Sequence, residues 1–324
     1  MKKGYFVISL DFELHWGGVE LWDLKFKRNS TYFENARKSI PFILELFSRY
    51  NIHCTWATVG LLFAENKNQA IEFSPRMKPS YANEEFNYYK HLFSNEVGID
   101  EKSDPFHFGK SIIDSIIKVD NQELGSHTYG HYYCLEEGQN IDEFDNDLKS
   151  AQELAKKNYG ITLKSLVFPK NQLNLEYLKV IEKNKFTSVR VNPNIWFWQK
   201  NLLISKIVRS VDVLLPVFVN FSYTLDEIKK DTNLLLIPSS RFLRGYSKKE
   251  KFLRKLMLNR IKGEMTYAAI HKEVYHLWWH PHNFGNNIDE NMSFLKSILE
   301  HYAHLNSQYG FESTTMNGLA ILKS

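Results

Sequence analysis

The sequence predicts an α/β fold, either a closed parallel barrel or a doubly wound open sheet. Three observations lead there. About seven short runs rich in apolar, β-branched and aromatic residues read as strands. Most of them are followed by a segment with helical apolar spacing. The first run, residues 5–10 ("YFVISL"), is apolar without alternation, as expected of a strand covered on both faces. Pattern alone does not separate a barrel from an open sheet.

The elements follow in order. Residues 34–50 place Ile40, Ile43, Leu44 and Phe47 on one side of a helix, and 53–60 ("HCTWATVG") read as the second strand. Residues 66–108 break the rhythm with Pro75, Pro79 and Pro105 and read as an insertion or lid. A helix is expected over 108–119, with the stripe Ile112, Ile113, Ile116 and Ile117, and then a strand running into a turn over 122–131. Residues 142–160 form an amphipathic helix stopped by Gly160. Further strands are expected at 163–169, 185–191, 233–240 and 273–280, and helices at 174–184, 247–260 and 288–306. No repeat, low-complexity tract or linker divides the chain, so one domain over 1–324 is expected.

Composition narrows the function classes. With 324 residues, 43% of them hydrophobic, the chain can bury a large core. The net charge of +4, from 41 basic and 37 acidic residues, gives no reason to expect nucleic acid or a membrane surface as partner. Cys54 and Cys134 make no disulfide framework, which suits a reducing compartment. The apolar stretch after the basic start is shorter than the roughly 7–15 residues of a secretory signal, and no run nears the roughly 18 of a membrane span. A cytoplasmic protein is expected. Aromatics are abundant at 15%, including seven Trp. They serve the core, or line a carbohydrate cleft; Trp16, Trp278 and Trp279 are the candidates for stacking on sugar rings.

Three groups of residues have the chemistry of a site. Asp11 and Glu13 are two apart on the first strand, so they point the same way, towards the mouth of a barrel. Two neighbouring carboxylates repel and resist desolvation, and a cation relieves both costs. His127 and His131 follow the end of a later strand; if that segment is helical, both imidazoles share one face and can share a metal. His301 and His304, on an exposed helix, show how the same kind of close pair arises without a site. His280 ends an aromatic strand before Pro281 and suits general acid or base work. Imidazole with carboxylate suits zinc first, with cobalt, nickel or iron as alternatives. This is the equipment for metal-assisted hydrolysis of an amide or ester.

The residues resemble those of the polysaccharide deacetylases, the NodB-homology group of carbohydrate esterases. "ISLDFE" is similar to that family's first motif and "ELGSHTYGH" to its H-S/T-x-x-x-H metal motif. "YNIHCTWATVGLLFAEN" resembles its second-strand segment, while "WWHPHNF" and "YGFESTTMNGLA" resemble late motifs of one subgroup. The resemblance implies a distorted (β/α)7 barrel. It implies Asp11 as catalytic base, His280 as catalytic acid and Glu13, His127 and His131 as ligands of one divalent metal. The reaction implied is removal of an N-acetyl or O-acetyl group from a sugar. An acetylated nucleotide- or lipid-linked sugar, or an oligosaccharide, would be the partner.

The sequence departs from that pattern in two places. Phe12 separates acids that are usually adjacent, and the second acid is Glu. The third motif normally sets Arg before a proline, where Val167 and Phe168 precede Pro169 here. The arginine steadies the base, so Lys170, Arg190 and Arg241 are candidates to replace it. Three other readings stand beside the deacetylase. One is a cyclic-amide or formamide hydrolase on the same fold. Another is a non-catalytic glycan-binding barrel, which the missing arginine favours. The last is a non-haem iron oxygenase, which Thr128 and Tyr129 disfavour by occupying the place of its carboxylate.

Overall fold

The computed structural model describes residues 3–18, 30–193, 221–231 and 233–324. Its spine is β1 (Tyr5–Phe12), buried along its whole length. The strands β2 (Cys54–Thr58), β3 (Gln122–Ser126), β4 (Ser165–Val167) and β5 (Ser188–Val191) line up from it in chain order, each parallel to the last. The exposed β6 (Lys229–Asp231) forms an antiparallel pair with β7 (Leu234–Pro238), which lies parallel beside β5. On the other side of β1, β9 (Val274–Trp279) pairs with it and with the short β8 (Arg241–Phe242). Finally β10 (Glu312–Thr314) joins the start of β1. The order never reverses about a central strand, as a doubly wound sheet requires.

The ring does not close through a continuous ladder. Instead the segment 234–242 changes neighbours part-way. Ser239 N donates to Val191 O on the β5 side (2.9 Å), and Ser240 N donates to His276 O on the β9 side (2.8 Å). Among the described residues, counting β7 and β8 as one station gives seven around the ring: β1 to β5, β7–β8 and β9. The fold is a distorted (β/α)7 barrel.

The helices cover the outside. Among the described residues they are α1 (Ser30–Arg49), the short α2 (Lys67–Glu72) and α3 (Tyr88–Phe93) of the 66–108 segment, α4 (Lys110–Ile116), α5 (Ile141–Tyr159), α6 (Leu178–Lys183), α7 (Arg254–His271) and α8 (Ile288–Tyr309). Local chemistry sets their ends. Asn140 and Glu143 make a reciprocal capping box at the start of α5, and Gly160 ends it in the left-handed conformation (φ 68°). The last helix, α9 (Met316–Leu322), differs: its Met316 and Leu319 pack with the inward residues Tyr5, Val7, Ala57 and Val167. It stoppers the barrel at the end where the strands begin, which leaves the opposite end for a site. Among the described residues no helix is long and apolar enough to cross a membrane.

Period-two alternation decides which strand residues face in. Phe6, Ile8, Leu10 and Phe12 join the core under the helices, while Val7 faces the interior with Ser9 and Asp11. On β9, Tyr275, Leu277 and Trp279 face out, and Val274, His276 and Trp278 face in.

One helix runs well beyond expectation. The apolar spacing predicts a helix over 247–260, but 248–253 is a 3₁₀ turn and α7 continues to His271. Its buried stripe passes through a charge, which disguises it in sequence. Glu264 is fully buried, accepts two bonds from Arg241 (2.6 and 2.7 Å) and one from Tyr275 Oη (2.8 Å), and lies 3.2 Å from Arg260. Removing its charge strands two arginines in the interior. Glu264→Gln is expected to cost about 3–5 kcal/mol of stability, measured by urea unfolding against the parent chain.

Candidate metal and catalytic site

The site forms where β1, β3, β5 and β9 end. Asp11 and Glu13 are 2% and 3% exposed, and both side chains point into the mouth. Leu14, in the left-handed region (φ 47°), turns the chain away just beyond. Glu13 Oε1 lies 3.0 Å from His127 Nε2, 3.4 Å from His131 Nε2 and 3.5 Å from His280 Nε2. His280 Nε2 is 3.7 Å from Asp11 Oδ2. Positions more than a hundred residues apart thus meet at one rim.

The histidine pair converges, though not on a helix. Residues 127–133 form an irregular loop in which Thr128 (φ 63°) and His131 (φ 55°) adopt left-handed backbone. The rings nevertheless lie 5.1 Å apart. Polar clamps replace the expected helical bonds. Asp147 of α5 accepts from Tyr129 N (2.5 Å) and Gly130 N (3.1 Å), and Thr128 Oγ1 accepts from Tyr132 N (2.7 Å). The 66–108 segment braces the same loop with tyrosines: Tyr89 Oη donates to Asp147 (2.8 Å), Tyr81 Oη accepts from Tyr133 N (2.8 Å), and the Tyr88 and Tyr133 hydroxyls are 2.5 Å apart.

The donor set fits a divalent cation. One ligand atom from each of Glu13, His127 and His131 lies within 4.8 Å of the others. His127 Nδ1 donates to Val167 O (2.9 Å), which fixes the ring with Nε2 turned to Glu13. Asp11, Glu13 and His280 form a second such group. Asp11 is the poorer donor of the two sets, because Arg190 already neutralises it.

Arg190, rising from β5, grips Asp11 with both terminal nitrogens (2.6 and 2.7 Å). Burial raises the Asp11 pKa, but Arg190, His280 and His127 together hold it below the usual carboxylate range. Burial also opposes ionisation of Glu13, and His280, His127 and His131 pull its pKa well below normal. Burial lowers the His280 pKa, but the facing carboxylates of Glu13 and Asp11 raise it above the ordinary histidine value.

The remaining expected contacts are placed unevenly. Lys170 is exposed at the rim, its Nζ 4.2 Å from the Tyr133 ring centre. Arg241 is engaged with Glu264 under α7, not with Asp11. Trp16 is buried, its indole N–H donating to His107 O (2.8 Å). Trp279 is fully buried among Phe47 and Phe284, because alternation turns it outward under the helices. Neither of these two indoles can stack on a sugar. Trp278 is the one facing in, with the Arg190 guanidinium 4.2 Å from its ring centre.

Sequence reasoning missed three supports. Gly17 leaves room for the Glu13 carboxylate: a Cβ there would lie 1.7 Å from Oε2. Asn171 accepts from Arg190 Nη2 (3.0 Å). Asp147 had a visible signal, since it falls on the apolar stripe Phe144, Leu148, Ala151 and Leu154 of α5.

No family model and no curated protein matches the chain, but solved structures do. A protein described as a polysaccharide deacetylase from Mycobacterium smegmatis is 13% identical, with a TM-score of 0.54, over 99% of this chain and 91% of that one. Another so described, from Pseudomonas aeruginosa PAO1, is 12% identical with a TM-score of 0.56, over 98% and 89%. Puue allantoinase is 12% identical with a TM-score of 0.55, over 98% and 89%. The chain has the polysaccharide-deacetylase fold. Since that fold also hosts a protein named as an allantoinase, the substrate has to be argued from the site.

Two outcomes are expected here. Gly17→Ala should displace the Glu13 carboxylate, and if the site takes a divalent ion its affinity should fall roughly 10–100-fold, read by calorimetric titration. Burial pushes the Asp147 pKa up to about 6, against the three hydrogen bonds it accepts. The folded state therefore holds the proton more tightly than the unfolded chain does. The stability from this group is present at low pH and is lost as pH rises from about 4 to about 6, about 3 kcal/mol at roughly 1.4 kcal/mol per pH unit. Asp147→Asn should remove that slope from the stability–pH profile.

Proposed function

We propose that this chain is a metal-dependent hydrolase that removes an N-acetyl or O-acetyl group from a sugar. We take the substrate to be a nucleotide- or lipid-linked acetamido sugar of surface-polysaccharide assembly. The reading is supported above all by the meeting of Glu13, His127 and His131 with Asp11 and His280 at one rim. The likeness in fold to proteins described as polysaccharide deacetylases adds to it.

Glu13, His127 and His131 would hold the divalent ion, zinc first and cobalt, nickel or iron otherwise. Such an ion polarises an acyl carbonyl and makes a nearby water more acidic. Asp11, kept ionised and oriented by Arg190, accepts the proton of the attacking water. The water oxygen bonds to the carbonyl carbon. His280, whose pKa the facing carboxylates raise, gives a proton to the departing nitrogen or oxygen as the bond to carbon breaks. The products are acetate and the free amine or alcohol. In this scheme Arg190 takes the part of the arginine missing from the third motif.

A cyclic-amide hydrolase is the second reading, favoured by the likeness to an allantoinase. It uses the same base and acid on a ring amide. One screen separates the two: acetylated nucleotide sugars and cyclic ureides, with and without added divalent metal. Metal-dependent acetate release is expected. Asp11→Asn should lower kcat by roughly 10²–10⁴ with zinc affinity little changed. Near-normal turnover by that variant would falsify the base assignment.

A further inference from the structure

We propose that His276 and Ser9 form a buried relay that fixes the Arg190 guanidinium, and through it the Asp11 carboxylate, making both of them positioning residues for the base. His276 lies on β9, faces the barrel interior and is fully buried. No step of the proposed reaction uses it.

The hydrogen bonds give it one consistent orientation. Its Nδ1 is 3.2 Å from Pro238 O, which can only accept, so Nδ1 bears the proton. Burial and the neighbouring Arg190 push the imidazole pKa down to about 3, so the ring stays neutral. Its Nε2 is then an acceptor, 2.8 Å from Ser9 Oγ. The Ser9 hydroxyl must donate to it, which leaves the Ser9 lone pairs for Arg190 Nη1 at 3.0 Å. Arg190 Nη1 also donates to Asp11 Oδ1, and Nη2 to Asp11 Oδ2 and Asn171 Oδ1. All four terminal N–H groups are thus directed, and Trp278 covers a face of the plane. Arg190 Nε is buried without a hydrogen-bond partner, so the orientation is set by the head of the side chain alone.

An apolar residue in place of His276 would leave the Ser9 hydroxyl free to turn its own proton towards Arg190. The guanidinium would lose an acceptor and tilt, and the Asp11 carboxylate would tilt with it. The metal ligands lie outside the relay, so binding of the ion should not follow.

The test uses the full chain with His276→Leu, His276→Gln and Ser9→Ala. The first readout is guanidinium rotation of Arg190 by nitrogen-15 NMR, without substrate. Rotation should be slow in the parent and fast in His276→Leu and Ser9→Ala. His276→Gln should restore slow rotation, since its amide oxygen can accept from Ser9. The second readout is zinc affinity, expected to be unchanged. The third is acetate release, where kcat should fall roughly 10–100-fold at unchanged KM. The double variant should be no worse than either single one. Unchanged Arg190 rotation in Ser9→Ala, which removes only a hydroxyl and keeps the fold, overturns the relay. So does a parallel loss of kcat and zinc affinity. This inference rests on the deacylation reading only for its kinetic readout. A parent chain that releases no acetate sinks that reading, while the rotation measurement still decides the relay.

Discussion

Two carboxylates buried side by side at the end of β1 constrain everything around them. Each ion taken from water costs several kcal/mol unless it is met by charge or hydrogen bonds. The barrel meets them separately. Asp11 receives a bidentate guanidinium from β5, and Glu13 receives imidazoles from the loop after β3 and the turn after β9. That division sorts two similar acids into two roles. The one neutralised by a fixed arginine is the poorer metal donor and is the base of the proposed reaction. The one surrounded by imidazoles shares with two of them the donor set that would hold a cation.

The second constraint is the irregular loop that presents His127 and His131. Left-handed backbone at Thr128 and His131 is unfavourable for residues with a Cβ and persists only when neighbours fix it. Asp147 and the tyrosines Tyr81 and Tyr89 do so from two sides. The 66–108 segment therefore contributes a buried aromatic brace to the site, with Tyr88 and Tyr89 nearly fully enclosed. Its proline-rich sequence gave little local pattern, because its order comes from these long-range contacts.

Much of the frame was legible. The continuous apolar run at 5–10, the helical stripe at 34–50 and the Gly160 stop each have a local physical cause that survives folding. What failed to show depends on partners distant in the chain. The two-residue β8 exists only because 234–242 changes neighbours, and α9 only because the barrel needs a stopper. Choosing among Lys170, Arg190 and Arg241 required knowing that β5 faces β1 across the barrel interior, which no local pattern encodes. The tryptophans are a different case. Alternation along "VYHLWW" already separates Trp278 from Trp279, and the inward histidines at 276 and 280 share a face with Trp278. The period was present, but it had to be anchored on a residue of known direction.

The departures from the usual first motif fit together once the geometry is known. In a regular strand, adjacent acids would point to opposite faces; an intervening Phe12 lets both point inward while its own ring packs against Trp56 under the helices. The longer Glu13 side chain then needs space, and Gly17 supplies it by lacking a Cβ. Asp11, the proposed base, is in turn tied to the closure of the barrel. Pro238, which accepts from His276, lies just before the handover from β5 to β9 at Ser239 and Ser240. The place in the ring where no ladder runs among the described residues is thereby joined by hydrogen bonds to the Asp11 carboxylate, which the proposed reaction most needs held still.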